Sequence, residues 1–398
     1  MRQLALLLLT FAIVFAVFQP AQAQKPGYFP VSHLGLSYEF GNFITFQAQL
    51  TLPSPPSEAY LLFRAEGEQS TRIIPIQLDQ NGNTLQRYEI SQGAVRPFAI
   101  VHFHYQVKLQ NGDELNSEEF FFKYEDNRFP WQVASVDLLT IHWYAGEAAF
   151  GQDALDVAQR GMKQANTLLL VTPSKPINIY IYASSTDLAN ALEIGAVPWV
   201  GGHASPDLRV VLVSIPPGPE QGLEMDRKIA HELAHILTYD LMGERYENLP
   251  MWVREGIATH VELSSNPDYP RALAQASSQK NLIAMKDLCG SFPPESGRAF
   301  LAYAESESFT RFIIDKYGQT SLLALTSAYG DGLDCEQGMR RAIGQTLNEV
   351  EMDWHANSLG ENIGLTALNN LFPYIAILTI LLVVSTINAF TFNRTSHE

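Results

Sequence analysis

Cysteine and basic residues are both scarce in this chain of 398 residues. The two cysteines, Cys289 and Cys335, are too few for a small scaffold held together by disulfides. Lysine and arginine number 26 against 42 acidic residues, a formal net charge of −16, and no basic stretch offers a face for phosphates. We therefore expect no nucleic-acid partner. No internal repeat is apparent, and the length allows two globular domains with sizeable cores.

Long uncharged runs are confined to the two ends of the chain. At the N-terminus, Arg2 precedes an apolar run from Leu4 to Phe18, and Ala21–Ala23 supplies the small residues typical of a cleavage site. The run is short for a membrane span, so residues 1–23 are predicted to be a cleaved signal peptide. An uncleaved signal anchor is the alternative.

The second uncharged run, Leu371 to Phe392, is long enough to cross a bilayer as a helix. It has no polar face, which disfavours a buried core helix. We predict a juxtamembrane linker at 359–370, a transmembrane helix at 371–392 and a cytoplasmic tail at 393–398. The protein is then a single-pass cell-membrane protein with its folded part outside the cytoplasm. In an oxidising compartment the two cysteines can form one bridge, or they can remain buried thiols.

Residues 24–128 are predicted to form a small β-sandwich. Apolar and polar side chains alternate from Ile44 to Leu52 and again from Val101 to Leu109, the period-two pattern of half-buried strands. Short strands of this kind over about a hundred residues are typical of a sandwich. His102 and His104 share one strand face and can in principle hold a metal, but such pairs are more often the solvated face of a sheet.

The longer region, residues 129–358, mixes strands and helices and then becomes almost wholly helical. Helical spacing runs from Ala154 to Val171, and buried strands are predicted at Ile177–Ala183 and Leu208–Ile215. From Met225 onward the pattern is helical. We predict an α+β domain, in which the strand Leu208–Ile215 is a candidate edge for pairing with an extended peptide.

One helical stretch, from about Met225 to Leu241, contains the motif His231-Glu232-Leu233-Ala234-His235. A spacing of four residues places both imidazoles on one face of a helix, one turn apart, so that both can bind the same ion. Glu232 projects beside them, where it can act on a water molecule. Taken alone, the motif also fits a surface helix that happens to carry two histidines.

A second helix is predicted to begin at Pro250, a residue that suits a first turn, and it carries Glu255. A catalytic zinc ion with two histidine ligands needs one more protein ligand. Nineteen residues separate His235 from Glu255, enough for the first helix to end and for an antiparallel neighbour to present this carboxylate. The residues therefore predict a zinc site of His231, His235 and Glu255.

The HELAH motif, this gap and the segment LPMWVREGIATHVE together resemble the gluzincin metallopeptidases, the clan that contains thermolysin. The resemblance is closest to the peptidase MA-like domain family and covers roughly Val136 to Asn357. It implies a thermolysin-like α+β catalytic domain with a mixed sheet and a mostly helical C-terminal half. It also implies a Zn²⁺ ion bound by His231, His235 and Glu255, with Glu232 as the general base.

Two further segments look like this family, Ala302–Phe309 and the Gly201–Ala204 turn. They supply Tyr303 and His203 as catalytic candidates, each able to donate a hydrogen bond to the oxyanion of the transition state. Residues of these types are more often packing or hydrogen-bonding residues.

The sequence departs from thermolysin-type enzymes at one position. Those enzymes place an aspartate four residues after the glutamate ligand, where it orients a zinc histidine, and this chain has Thr259 there. Glu262, two turns from Glu255 on the same predicted helix face, is a candidate for that role. A solvated glutamate is the alternative.

The function predicted from the sequence is a membrane-anchored zinc metallopeptidase that acts on a peptide or protein substrate. Two alternatives remain: a surface binding or adhesion module, and an envelope assembly factor. In both, the zinc domain is structural or inactive. An intact Glu232, which binds no metal, favours the peptidase.

Overall fold

A computed structural model describes residues 27–192 and 201–360, together with isolated helical positions between 371 and 383. The predicted signal peptide, residues 1–23, lies outside the described residues. So do the predicted tail and most of the predicted membrane span. Among the described residues, no helix combines the length and the apolar character that crossing a membrane requires.

The strands and helices follow one another along the described chain with short connections. The strands are β1 Gly27–Tyr28, β2 Val31–Glu39, β3 Phe43–Leu50, β4 Pro56–Ala65, β5 Arg72–Pro75, β6 Asn83–Glu89, β7 Ile100–Leu109, β8 Glu114–Asn116, β9 Phe120–Lys123, β10 Gln132–Val136, β11 Leu139–Trp143, β12 Ile177–Tyr182, β13 Gly202–Ser205 and β14 Val210–Ser214. The α-helices are α1 Ala148–Leu169, α2 Ser185–Leu192, α3 Gln221–Met242, α4 Met251–Val261, α5 Asp268–Ser278, α6 Ser296–Tyr317, α7 Gln319–Gly330, α8 Cys335–Ile343 and α9 Leu347–Ser358. Short 3-10 helices lie at Ile90–Gln92, Gly243–Asn248 and Asp287–Cys289.

Packing divides the chain into two compact units. The first contains the described residues up to Tyr38, Asn42–Val95 and Ile100–Lys123. The second contains Glu39–Gly41, Arg96–Ala99 and the described residues from Tyr124 onward. The two short segments join the second unit through aromatic packing, because Phe40 stacks on Tyr124 at 4.9 Å and Phe98 lies 4.5 Å from Tyr180, between ring centroids.

The first unit consists of two β-sheets. One has the strand order β1-β8-β7-β4-β5, with β9 also paired to β7, and the other has the order β2-β3-β6. The ring of Phe46 on β3 lies 5.3 Å from Phe63 on β4 and 5.1 Å from Phe103 on β7, measured between centroids. The two sheets therefore pack through the apolar side of the alternating strands.

The second unit is built on a five-stranded mixed sheet with the order β10-β11-β12-β14-β13. Strands β11, β12 and β14 are parallel, whereas β10 and β13 run antiparallel to their neighbours. Every residue of β14 is buried, as expected of a central strand covered on both faces. The prediction that Leu208–Ile215 forms an edge is therefore wrong. Among the described strands the edge beside it is β13, whose short sequence GHAS has no apolar pattern to reveal it.

Helices α1 and α2 alternate with the strands of this sheet, and the helices from α3 onward form the C-terminal half of the unit, so the mixed α+β fold matches the prediction. Helix α3 packs against α1 and α4, and α4 packs against α6. The two cysteines form a disulfide between Cys289, at the end of a 3-10 turn, and Cys335, the first residue of α8.

The carboxyl group of Glu305 in α6 is fully buried. Both oxygens of Glu305 lie within hydrogen-bond distance of the Ile283 N–H, at 3.0 and 3.2 Å. Burial raises the pKa of Glu305 from 4.5 to about 8, although the bond from Ile283 opposes the rise. Between these pH values the folded protein keeps a proton that the unfolded chain has released. The free energy of unfolding therefore falls as the pH rises through this range.

We expect Glu305→Gln to remove this loss, because glutamine is neutral at every pH and still offers Ile283 an oxygen acceptor. The wild type should lose roughly 4 kcal/mol of stability through Glu305 between about pH 5 and pH 8, and the variant should not. Urea unfolding at several pH values measures the difference. Glu295→Gln, at an exposed position, is the control, and equal pH slopes for wild type and Glu305→Gln would contradict the prediction.

Candidate metal centre

Helix α3 presents His231 and His235 from one face, with their ring centroids 5.1 Å apart. The rest of the helix is held by core contacts, since Ile229, Leu233 and Ile236 are fully buried. Because the four-residue spacing brings the two rings to successive turns, the helix itself sets their separation. The pair is thus mounted on a rigid, buried element.

Glu255 on α4 completes a three-residue cluster. Its Oε2 atom lies 3.3 Å from His231 Nε2 and 3.8 Å from His235 Nε2. In the part of the chain that the structure describes, these three residues are the one group of histidine, cysteine and acidic side chains arranged to hold a metal ion. Tetrahedral zinc with bonds of about 2.0–2.1 Å separates its ligand atoms by about 3.3 Å. The observed separations are close to that value.

The second nitrogen of each imidazole, Nδ1, has a hydrogen-bond partner. His231 Nδ1 lies 3.1 Å from Glu262 Oε1, and His235 Nδ1 lies 3.0 Å from the Tyr246 hydroxyl. Metal-binding histidines in proteins almost always use their second nitrogen in this way, which fixes the ring and directs the first nitrogen at the ion. The donor set and its partners therefore fit a zinc ion.

Glu262 reaches His231 by a route that differs from the prediction. Helix α4 ends at Val261, and Glu262 is the extended residue that follows it, not a member of the helix. Thr259, the position of the aspartate in thermolysin-type enzymes, is buried within α4. The chain end of α4 turns back toward α3, where the Leu263 N–H donates to the Asp226 carbonyl. This turn carries the Glu262 carboxylate to His231.

Tyr246 was not found by sequence reasoning. It is buried in the 3-10 turn Gly243–Asn248, and the guanidinium of Arg254 lies over its ring, 4.6 Å from the centroid. No motif or spacing marks a tyrosine in a connecting turn as the partner of a histidine on the preceding helix.

Charges in the cluster favour a cation between these side chains. Burial alone would lower the pKa of His231, but hydrogen bonds to Glu255 and Glu262 raise it well above its usual value. Burial lowers the pKa of His235 to about 4, so this ring is neutral at pH 7. Burial would raise the pKa of Glu255, but its interactions with His235 and His231 lower it. A neutral His235 and an ionised Glu255 are the forms that bind metal, whereas His231 has to release its proton when the ion binds.

Glu232 is buried beside the cluster, below strand β13. Burial raises its pKa to about 7, the charge of His231 opposes this, and Glu255 and Glu262 add to it. A Cβ atom at Gly202 on β13 would lie 2.4 Å from Glu232 Oε1. A side chain at this position would therefore displace the Glu232 carboxylate. A carboxyl group with a pKa near 7 can both accept and release a proton at neutral pH.

The structure also brings Tyr303 and His203 to this region. The Tyr303 ring centroid lies 6.2 Å from that of His231, and burial, then Glu255 and Glu232, raise the pKa of its hydroxyl, which stays protonated. His203 lies on β13. It is exposed there, and partial desolvation acts together with the charge of Arg96 to lower its pKa.

His102 and His104 belong to the first unit and are not part of this cluster. His102 faces two acidic side chains, with Nε2 at 3.6 Å from Glu66 and Nδ1 at 3.3 Å from Glu119. The pair sits on β7, where the residues of its face are half-buried.

We expect Glu262→Gln to weaken zinc binding about 10- to 100-fold, the usual cost of removing an outer partner of a metal ligand. The amide keeps the size of the side chain, but its oxygen is a weaker acceptor for His231 Nδ1–H. Competition with a fluorescent zinc chelator measures the affinity. Glu307→Gln, a mostly buried glutamate on α6, is the control. Equal affinities in wild type and Glu262→Gln would show that this contact does not tune the site.

Comparisons with known proteins agree with this geometry at the level of the family. Residues 157–360, slightly more than half of the chain, match the family model described as the peptidase MA superfamily. This range contains α3, α4 and α6 and therefore every side chain of the cluster. Comparison with curated proteins finds no match.

Three solved structures show distant likeness to this chain. An aminopeptidase N family protein from Idiomarina loihiensis is 9% identical, with coverage of 82% of this chain and 73% of that chain and a TM-score of 0.36. A purple acid phosphatase, PPD1, from yellow lupin seeds is 10% identical, with coverage of 49% and 40% and a TM-score of 0.21. A structure described as a myokine is 11% identical, with coverage of 25% and 99% and a TM-score of 0.20. At these scores the likenesses carry no argument.

Proposed function

The chain belongs to the peptidase MA superfamily, and from this membership and the cluster on α3 and α4 we propose that it is a zinc-dependent peptidase. The observation that carries the proposal is the convergence of His231 Nε2, His235 Nε2 and Glu255 Oε2, with both Nδ1 atoms held by outer partners. Glu232, which is adjacent to the cluster but outside the ligand set, makes catalysis a better account than a structural metal site.

His231, His235 and Glu255 would hold the ion and leave one side of it open to solvent and substrate. When bound, zinc supplies a Lewis acid that lowers the pKa of water and polarises a carbonyl group. Glu232 would take a proton on its carboxylate from the attacking water and pass it to the leaving amine nitrogen. The protonated Tyr303 hydroxyl would donate a hydrogen bond to the oxygen of the scissile carbonyl, with His203 as the alternative donor.

Strand β13 would hold the substrate. It is the outermost described strand on its side of the sheet, and it passes directly over Glu232 at Gly202. An extended peptide added to such an edge gains backbone hydrogen bonds, and its scissile bond would lie beside the catalytic carboxylate. The substrate is thus a peptide or an unfolded segment of a protein.

We further propose that the peptidase acts outside the cytoplasm and is tethered by residues 371–392. This part of the proposal rests on the sequence alone, namely the predicted signal peptide of residues 1–23 and the uncharged run near the C-terminus. Membrane fractionation of the expressed protein, with protease added to intact cells, tests it. Digestion of the large domain from outside supports the proposal, and full protection contradicts it.

The test of the peptidase proposal is hydrolysis of an unfolded protein such as casein by the purified full-length protein. We expect cleavage that is abolished by a zinc chelator and restored by added Zn²⁺. Cleavage that is unaffected by the chelator would point to a contaminating protease. If the protein binds zinc but cleaves no peptide, a surface binding or assembly role with a structural zinc site becomes the better account.

A further inference from the structure

The turn that joins β13 to β14 is held by two ion pairs. Both oxygens of Asp207 accept hydrogen bonds from Arg96, at 2.6 Å from Nη1 and 2.7 Å from Nη2. Two residues later, Arg209 Nη1 lies 2.5 Å from Asp240 Oδ1 on α3, and its Nε donates to the Pro176 carbonyl at 3.1 Å. A two-bond arginine–carboxylate pair fixes orientation as well as distance. The turn therefore has little freedom to move.

Arg96 itself is presented by a fixed segment of the same compact unit. Two residues after it, the Phe98 ring is buried, with its centroid 4.5 Å from that of Tyr180 on β12. The backbone is tied as well, because the Phe98 N–H donates to the Tyr124 carbonyl at 2.8 Å. The guanidinium is thus anchored to the centre of the sheet whose edge strand it holds.

Strands β13 and β14 form a hairpin, and the end of this hairpin opposite the turn is fixed to α3, the helix that carries Glu232. Lys228, one turn before Glu232 on α3, donates to the Ser214 carbonyl at 2.8 Å, and the Ser214 N–H donates to the Gly201 carbonyl at 3.0 Å. Between the two ends, Gly202 passes over Glu232 so closely that a side chain there would displace the carboxylate. A shift of about 1 Å in a positioned group can cost about a hundredfold in rate.

We propose that Arg96 is a positioning residue that holds strand β13 at its place over Glu232 through its paired bonds to Asp207. The inference rests on the proposed peptidase function, because β13 is the strand that would pair with the substrate. Loss of Arg96 leaves the zinc ligands and Glu232 in place but releases the Asp207 side of the turn. Arg209 still holds the other side. Substrate binding is therefore weakened more than the chemical step, and KM rises more than kcat falls.

Hydrogen exchange tests whether Arg96 holds strand β13 in place, and it requires no enzymatic activity. We expect amides in residues 202–214 of the full-length Arg96→Ala protein to exchange roughly tenfold faster than in wild type. Amides of α3 should be unchanged. Lys316→Ala is the matched control, because it removes another long-range ion pair, 2.5 Å from Asp353, at a distance from β13. Unchanged exchange in residues 202–214 of Arg96→Ala would overturn the proposal.

Enzyme kinetics test whether holding β13 in place supports substrate binding. We expect kcat/KM of Arg96→Ala to fall about tenfold, mainly through KM, with the zinc content unchanged. The exchanged pair Arg96→Asp with Asp207→Arg should recover part of the loss, which a general destabilisation would not allow. Faster exchange in residues 202–214 with unchanged kcat and KM would overturn the positioning role of Arg96. If hydrogen exchange in residues 202–214 of Arg96→Ala is faster but the protein cleaves no peptide, the Arg96–Asp207 contact is supported and the peptidase proposal is rejected.

Discussion

Glu232→Gln is expected to lower kcat for peptide hydrolysis by about a thousandfold while the protein keeps its zinc. General base catalysis contributes typically 10²–10⁴-fold, or about 3–5 kcal/mol of transition-state stabilisation. The amide has the same shape as the carboxyl group, so the close approach of Gly202 is preserved. It accepts no proton from the attacking water and returns none to the leaving amine. Single-turnover rates with a fluorogenic peptide, together with zinc content by atomic absorption, measure both effects.

The control for this variant is Glu244→Gln, at an exposed position in the turn after α3. It should match wild type in both zinc content and rate. If Glu232→Gln loses its zinc, the glutamate is part of the metal site and the roles assigned to Glu232 and Glu255 must be revised. If it keeps both zinc and full activity, the domain does not use Glu232 as a base, and the hydrolysis comes from another group or another protein.

The parts of the site that sequence reasoning places together are those governed by local helix geometry. His231 and His235 face the same way because four residues make about one turn, and this holds in any helix. The start of α4 after Pro250 is equally local, since proline favours a first turn. The period-two pattern of β3 likewise indicates which of its residues are buried.

The parts that were missed depend on contacts between segments that are distant in sequence. Strand β13 is short and rich in small residues, so only its pairing with β14 identifies it as an edge. Arg96 lies in a stretch that the sequence predicts as part of a β-domain, yet it pairs with a residue 111 positions later. Periodicity describes one element at a time and contains no information on such partners.

Glu255→Ala is expected to reduce zinc affinity by more than the 10- to 100-fold that loss of an outer partner costs, because it removes a direct ligand. The two remaining ligands are neutral histidines, so no ligand carries a negative charge to balance that of the ion. Since a ligand that binds only the folded state stabilises it, added Zn²⁺ should raise the Tm of wild type and leave that of the variant unchanged. Isothermal titration and thermal unfolding, each with and without Zn²⁺, measure these two quantities.

Two companion variants separate the loss of a ligand from damage to the fold. Glu255→Gln keeps the volume of the buried side chain and should lose zinc in the same way, because an amide is a poor zinc ligand compared with a carboxylate. Glu220→Ala, at the exposed start of α3, should bind zinc like wild type. If Glu255→Gln folds and still binds one zinc with wild-type affinity, the third ligand is another residue. In that case the convergence of Glu255 with the two histidines would reflect an ion pair between side chains and not a metal centre.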